Sequence, residues 1–517
     1  MTATLQRARR ARLAAVAIAV AVGVATTTPA FAATAGPPHA LVGSCITTVC
    51  PDTVALTSAQ QAVLYGMAQD AWKFFIADSD PNTHLPMDSV STGAAPTGDY
   101  TSPTDIGVNL WAIIAGFDLH LISRQQMDQQ LDQAVTAIEG LEKWNGFLLS
   151  WYDTQTGLAI NNPGPDETPI TTLTGQFIST VDNGWYGAGL VEVRQADPAL
   201  APTATRLLDA MNFSQFYDAG NEVTNPNAGQ VYGGWTVGTG PATFEYGLLN
   251  TETRIIEYLG IGNHTLPVDT WWRTWRTEPA QYGQRQVPSG STVIETDPLT
   301  GKTFPVLEGH YTYDGIDYVP SWGGTAFEAL MPNLVVPETL YGPDGFGGND
   351  QDYTRAMIAY DTQALGYKVW GLSPASTPDD TGNYLAYGSA ALGTDPSDTD
   401  YVTGAVAPHA SFLALATLPQ SAFRNIETMR TDFPQSYGPY GFYDSLNPTT
   451  GEVAHRYLVL DEAMLFTALD NALTGQTMQR RWANDPVGQV DIRYIQAETM
   501  SVAPFVPFCA GGCDNRP

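Results

Sequence analysis

Four carboxylates occupy helix positions where a carboxylate is costly. In FEYGLLNTETRIIEYLGI, residues 244–261, a helical period aligns Leu248, Leu249, Ile255, Ile256 and Leu259 in one apolar stripe, and Glu252 falls in its middle. In YLVLDEAMLFTALDNAL, Asp461 lies within the stripe of Met464, Leu465, Ala468 and Leu469. In STVDNGWYGAGLVEV, Asp182 shares a face with Trp185, Tyr186, Gly189 and Val193. In SWGGTAFEALMPNLVV, Glu328 sits at the margin of a stripe made by Leu330, Met331 and Leu334. An ionised carboxylate in apolar surroundings is strongly unfavourable unless it is paired or takes up a proton. Several such acids beside Trp and Tyr are the groups that cleavage of a glycosidic bond uses. One, with a raised pKa, protonates the leaving oxygen; a second, ionised, activates water or attacks the anomeric carbon. Trp151, Tyr152, Trp185, Trp235 and Trp322 are candidates to stack on the apolar faces of sugar rings. Arg254, on the polar side of the Glu252 helix together with Glu257, is a further candidate to bind substrate.

Each acid also has a purely structural reading. Asp182 precedes a helical stretch as an N-cap would, and Asp461 has Arg456 nearby as a partner. Glu328 at a stripe margin fits a solvated or salt-bridged residue, and Glu252 fits an ion pair with an arginine. Asp105, after Thr104, reads as a first-turn acid favoured by the helix dipole. Trp271, Trp272 and Trp275 cannot all share one narrow stripe, so core and sugar platform both remain open for them. His264, His310, His409 and His455 are scattered; each reads first as structural, with a sugar hydrogen-bond donor as the alternative. The chain has no Gly-x-Ser-x-Gly elbow, no His-Glu-x-x-His zinc helix, no phosphate-binding Gly-x-x-x-x-Gly-Lys loop and no dinucleotide fingerprint. No metal or cofactor is therefore expected.

The elements that must position these residues are mostly helices. Periodicity places them over 58–77, 104–121, 123–141 with Ser123 as N-cap, 182–195, 202–216, 248–262, 268–275, 325–335, 352–365, 410–417, 420–431 and 458–473. Strand signals are local, chiefly a hairpin in STVIETDPLTGKTFPVLEGHYTY and shorter pieces near QVYGGWTV. A dozen helices with no 34-to-47-residue repeat predict an all-α fold, an (α/α)6 barrel with small β-hairpin insertions in its loops. An Arg-rich start (Arg7, Arg9, Arg10, Arg12), an apolar run over 13–24 and Ala30-Phe31-Ala32 read as a secretory signal peptide over 1–32. Its removal takes away four arginines and no acid, so the formal charge of −30 becomes −34. That surface repels nucleic acid and anionic lipids or glycans, which leaves a neutral glycan as the better substrate class. The expected organisation is a short N-terminal extension over 33–54 with Cys45 and Cys50, one catalytic domain over 55–483, and a C-terminal extension over 484–517 with Cys509 and Cys513. In an exported monomer with no stable membrane insertion these cysteines are expected as disulfides, with three connectivities open.

Six segments then carry a resemblance. YTSPTDIGVNLWAIIA (100–115), WNGFLLSWYDTQTG (144–157), ISTVDNGWYGAGL (178–190), YGLLNTETRIIEYLGI (246–261), PSWGGTAFEALMPNLV (320–335) and YGFYDS (440–445) occur in this order. Together they resemble the bacterial glycoamylase-like domains, the endo-β-1,2-glucanases of glycoside hydrolase family 144 and the related domains of cyclic β-1,2-glucan synthases. The resemblance implies an (α/α)6 barrel and cleavage of a β-linked glucan. It implies that Glu252 is the general acid, sets Asp182 in an acidic stretch of the active site and matches Glu328 to a carboxylate of the synthase-type relatives; Asp461, from its place in the helix stripe, is the third candidate partner. The endo-glucanases invert configuration and the synthase domains retain it, so the partner of Glu252 is not fixed by the resemblance. Two other readings compete with the hydrolase. A polysaccharide lyase on the same barrel would need a cationic cleft, and a non-catalytic glycan-binding protein would have no need of the inward acids.

Overall fold

The computed structural model describes residues 42–43, 52–164, 167–221, 224–278 and 286–509. The expectations about the leader over 1–32 and about Cys45, Cys50 and Cys513 lie outside these residues, as does the side chain of Cys509. The chain is mostly helical, 43% helix, with small strand pairs between the helices. In chain order the helices are α1 (Ser58–Asp78), α2 (Pro103–Asp118), α3 (Arg124–Gly140), α4 (Asp182–Ala196), α5 (Ala201–Asp209), α6 (Ile255–Gly262), α7 (Asp269–Arg273) and α8 (Ala326–Leu330). They continue with α9 (Glu338–Tyr341), α10 (Phe346–Ala359), α11 (Pro408–Leu413), α12 (Pro419–Asp432), α13 (Val459–Thr474), α14 (Thr477–Asn484) and α15 (Pro486–Ala497).

Local chemistry explains where several begin. Thr57 and Gln60 form a capping box at α1, Ser102 and Asp105 form one at α2 with Pro103 leading the helix, and Ser123 and Gln126 form one at α3. In each, the cap hydroxyl and the side chain three residues on satisfy backbone N–H groups that a helix start leaves unpaired. α13 ends at Gly475, which turns into the left-handed region at φ 75°.

Six helices pack in a closed circuit. α2 lies on α4, α4 on α6, the Glu252–Arg254 turn that leads into α6 on α8, α8 on α11, α11 on α13, and α13 back on α2. A second helix covers each of these from outside: α3 on α2, α5 on α4, α15 on α6, α10 on α8, α12 on α11 and α1 on α13. The α2–α4 crossing is close enough to require glycine. A Cβ on Gly107 would stand 2.6 Å from the Trp185 carbonyl oxygen, and one on Gly189 would stand 2.7 Å from the Gly107 carbonyl oxygen. The expected hairpin is present as Ser289–Thr296 paired antiparallel with Thr303–Tyr313, which also pairs with Ile316–Tyr318.

Three differences from the sequence reading have physical causes. The helix expected over 248–262 begins later, because Leu249 N–H donates to the Trp275 carbonyl and Trp275 N–H to the Gly247 carbonyl. The chain therefore passes through the one-turn segment Glu252–Arg254 before α6 starts at Ile255. Glu252 stands at the head of the helix rather than in the middle of its stripe. Secondly, Arg254 and Glu257 are buried, not solvated, because α6 is enclosed by α15 as well as by its ring neighbours. Thirdly, the boundary expected after residue 483 falls inside the body: α15 packs along α6, and Glu498 accepts from Trp271 Nε1 at 2.8 Å and Arg276 Nε at 2.8 Å.

Candidate active site

Five of the six ring helices carry an acid in their first turn, and the acids gather at one end of the ring. Asp105 heads α2, Asp182 heads α4, Glu252 leads into α6, Glu328 heads α8 and Asp461 heads α13. α11 starts instead with Pro408 and His409. Helix N-termini favour the charged form of an acid, whereas burial opposes it. Here burial wins at every one of these positions.

Glu252 is 3% exposed, and its Oε2 is enclosed without a hydrogen-bond partner. Burial, then the charge of Glu328, pushes its carboxyl up to about 8. Glu328 is raised as well, by burial, but donors oppose that shift: Gly323 N–H reaches its Oε2 at 3.0 Å and the Tyr401 hydroxyl its Oε1 at 2.7 Å. Donors to a carboxylate favour its charged form, so the environments separate the two acids. Removing one donor should be measurable. Tyr401→Phe forfeits a bond to a charged group, and the acidic limb of the activity profile is expected to move up by about one to two pH units. An unmoved limb would mean that Glu328 does not titrate in the reaction.

A second acid group lies across the rim. Asp461 is pushed up to about 7 by burial, against a side-chain hydrogen bond shared with Asp444 that favours its charged form. Asp444 is raised well above the carboxylate range by burial and then by the charge of Asp461, while Ser376 N–H donates to its Oδ2 at 2.5 Å. His409 stands 3.4 Å from Asp461 and shares a 2.8 Å hydrogen bond with the Ser373 hydroxyl. Burial drives His409 down to about 4, so it is neutral near pH 7. Tyr384 is within electrostatic reach of Asp461, Asp444, Asp88 and Glu252, and burial raises its hydroxyl well above its usual range.

A cavity of about 300 Å³ opens beside Tyr384, lined also by Asp88, Tyr100, Asp105, Trp151 and Arg456. Thr104, on its wall, donates to Asp182 Oδ1 at 3.1 Å. Burial, then the charge of Asp88, lifts Asp105 to about 8. Asp182 is fully buried and also raised by burial; it opens α4 without capping it. A second cavity, of about 290 Å³, touches the C-terminal ends of α8, α11 and α13, with no carboxylate among its lining residues. Of these two cavities, the one lined by carboxylates is therefore the one beside Tyr384.

The expected sugar-stacking residues divide. Trp151 lines the acidic cavity with its ring edge-on to Tyr100 at 5.3 Å. Trp322 is half-buried and immediately precedes Gly323, the donor to Glu328. Trp235 is half-buried and stacks on Trp144 at 6.0 Å. Trp185 is wholly buried against Trp111, and Tyr152 is wholly buried with its hydroxyl donating to the Glu142 carbonyl at 2.6 Å. Both belong to the core. Arg254 likewise cannot reach a substrate. Wholly buried, it holds Glu338 through Nε at 2.6 Å and Nη2 at 2.8 Å, and donates to the Ala329 carbonyl at 2.8 Å, which ties the Glu252 turn to α8 and α9. The arginine thus locks Glu338, not Glu252. Arg254→Leu strands a buried carboxylate, and thermal or denaturant unfolding is expected to show a loss of about 3–5 kcal/mol. A stable variant with a raised KM would restore Arg254 as a substrate contact.

Sequence reasoning missed Asp88, Tyr384, Tyr401 and Asp444 and took Arg456 only as a partner for Asp461; all lie in loops or short strands. Arg456 pairs with Asp88 at 3.2 Å rather than with Asp461. Among the described residues no group of three or more His, Cys, Asp and Glu side chains is placed to hold a metal ion.

Comparison with known proteins gives a consistent set. Residues 246–484 match the Glycoamylase family model, described as putative glucoamylase, and residues 66–226 match DUF3131, a domain of unknown function. The cyclic β-(1,2)-glucan synthase NdvB of Rhizobium meliloti (strain 1021) is 24% identical over 257 residues, 47% of this chain but 8% of that protein. Among solved structures, a putative glucoamylase from Bacteroides caccae superposes with a TM-score of 0.64 at 18% identity, covering 85% of this chain and 99% of that one. An endo-β-1,2-glucanase from Chitinophaga pinensis, in complex with sophorotriose and glucose, superposes with a TM-score of 0.62 at 18% identity, covering 86% and 99%. An endo-β-1,2-glucanase from Talaromyces funiculosus, in complex with β-1,2-glucan, superposes with a TM-score of 0.57 at 13% identity, covering 88% and 95%.

Proposed function

We propose that this chain, whose residues 246–484 form a glycoamylase-like domain, is an exported, monomeric glycoside hydrolase that cleaves a neutral glucan, a β-1,2-glucan, within the chain. The circuit of six helices and its outer layer support an (α/α)6 barrel as the scaffold. One observation carries the chemistry. Glu252 and Glu328, at the heads of adjoining segments of the ring, are buried within electrostatic reach of each other, and donors from Gly323 and Tyr401 favour charge on Glu328 alone. Glu252 is then the general acid that protonates the leaving oxygen, and Glu328 the carboxylate that supports attack at the anomeric carbon. Asp461 and Asp444, within electrostatic reach of Tyr384, and Asp182, hydrogen-bonded by Thr104, shape the sugar site around them.

The loops of the rim and the aromatic side chains Trp151 and Tyr384 supply the surfaces a pyranose ring packs against. The relatives' substrates favour a β-1,2-linked glucan, and the acidic rim favours a neutral one. Linear β-1,2-glucan incubated with the mature protein should give oligomers of mixed size on thin-layer chromatography, and NMR of the fresh products should identify the anomer released. No products from this glucan would defeat the substrate assignment. Unsaturated products absorbing in the near ultraviolet would mean a lyase. Among the described residues that line the cavity the one arginine, Arg456, is already committed to Asp88, which argues against that outcome.

A further inference from the structure

Tyr384 reaches the cavity from a hairpin too short to hold itself. Its strands, Ala375–Ser376 and Tyr384–Leu385, are two residues each, and a hairpin of that length is marginal in water. Its base is fixed to the body, because Ser376 N–H donates to Asp444 and Ser445 Oγ to the Ser376 carbonyl, both at 2.5 Å. The tip, 377–383, knits to itself through Asp379, which accepts from Thr377 Oγ1 at 2.6 Å and from Thr381 Oγ1 at 2.8 Å. Those bonds shape the tip without attaching it to the body. Among the described residues, the hydrogen bonds that attach it come from two successive positions, His455 and Arg456. Arg456 Nη1 donates to the Gly382 carbonyl at 3.0 Å. Asp380 engages His455 twice: Oδ1 accepts its backbone N–H at 2.7 Å, and Oδ2 pairs with its Nδ1 at 2.8 Å. To do so Asp380 stands at φ 55°, in the left-handed region that residues with a side chain enter rarely. The surroundings are fitted to the pair. A Cβ on Gly93 would stand 2.8 Å from His455 Cβ and 2.9 Å from Asp380 Oδ2, and the His455 ring meets Tyr443 edge-on at 4.9 Å. Neither partner is a core residue, since the His455 side chain is 40% exposed and that of Asp380 26%. What the pair steadies is a wall of the cavity, because Gly382 and Tyr384 both line it. The Tyr384 hydroxyl has no hydrogen-bond partner among the described residues and is left for a ligand.

We propose that Asp380 and His455 are positioning residues for the substrate: their bond latches the hairpin so that the Tyr384 hydroxyl stands where a sugar hydroxyl meets it. The proposal rests on the chain acting on glycans and adds how the site keeps its grip. Tyr384 touches the sugar; the latched pair acts through it. Releasing the latch returns conformational freedom to the tip, which the substrate must then remove on binding. Affinity falls, and the proton transfer at Glu252 is left as it was.

Two readouts on the mature full-length chain test this: KM and kcat on linear β-1,2-glucan, and the dissociation constant of the β-1,2-linked disaccharide sophorose by NMR titration. Asp380→Gly keeps the left-handed backbone and removes the carboxylate. KM and the sophorose dissociation constant are expected to rise about threefold to tenfold, with kcat and the melting temperature nearly unchanged. Asp380→Asn keeps an oxygen acceptor for the His455 N–H and tolerates the same φ, so it should restore most of the affinity. Tyr384→Ala removes the sugar contact itself, and in that background Asp380→Gly should have no further effect. Substitutions whose effects simply multiply, or a lowered melting temperature with KM unmoved, would make the pair a structural link and overturn the proposal. Cleavage of the glucan with independent effects removes the latch and leaves the enzyme. Sophorose binding with coupled effects but no cleavage removes the enzyme and leaves the latch. A wild-type chain that neither cuts the glucan nor binds sophorose overturns the glycan reading and the latch with it.

Discussion

Glu252→Gln is expected to lower kcat on linear β-1,2-glucan by about two to four orders of magnitude, with little change in KM or in thermal stability. The amide has the shape of the protonated acid but no proton to give to a leaving oxygen. Folding should tolerate it, because Glu252 holds no ion pair that the substitution would break: Arg254 turns away to Glu338, and Glu252 Oε2 has no hydrogen-bond partner. A carboxyl lifted to about 8 is mostly neutral near pH 7, so a neutral amide changes the charge of the site very little. A structural acid behaves differently: its loss would lower the melting temperature and leave kcat nearly intact. Full turnover by a folded Glu252→Gln protein would take this residue out of the mechanism.

The part of this arrangement that was legible from the amino-acid order is the part that helical period encodes. The cap at Ser123, the helix read over 58–77 and the hairpin read over 291–313 follow from side-chain pattern and capping chemistry, and they are present with ends shifted by a residue or two. Glu252, Asp182, Glu328 and Asp461 stood out because an acid among apolar neighbours breaks that pattern. The reason they break it was legible only in part. The wheel set Glu252 within a buried stripe, whereas long-range bonds between Gly247, Leu249 and Trp275 delay the helix and make Glu252 its leading residue. The wheel also placed Arg254 in solvent, since it assumes one buried face; a helix with neighbours on all sides has none exposed. Tyr384, Tyr401, Asp88 and Arg456 come from loops and strands of two or three residues, too short for a period to betray them. Asp444 lay within the YGFYDS motif, but its pairing with Asp461 depends on that loop meeting the head of α13.

The second large effect concerns Glu328, and its sign distinguishes a coupled pair from two separate acids. With Glu252 as the protonated member, activity falls as pH rises through about 8, because the acid loses its proton. With Glu328 as the charged member, activity falls again as pH drops through its own, lower titration. A bell-shaped profile results, whose limbs belong to the pair. Glu328→Gln removes the charged partner, and turnover is expected to fall by about two to four orders of magnitude. It also removes the charge that, after burial, is the next largest influence raising Glu252. The alkaline limb of the residual activity should therefore move toward acid, the opposite direction from any change that deepens the burial of Glu252. Carbon-13 NMR of the glutamate carboxyls gives the same titration without turnover, so the shift can be read even where the variant is nearly inactive. An alkaline limb that stays near 8 after Glu328→Gln would show that the two carboxyls do not sense each other, and the partner of Glu252 would then have to be sought at Asp461 and Asp444.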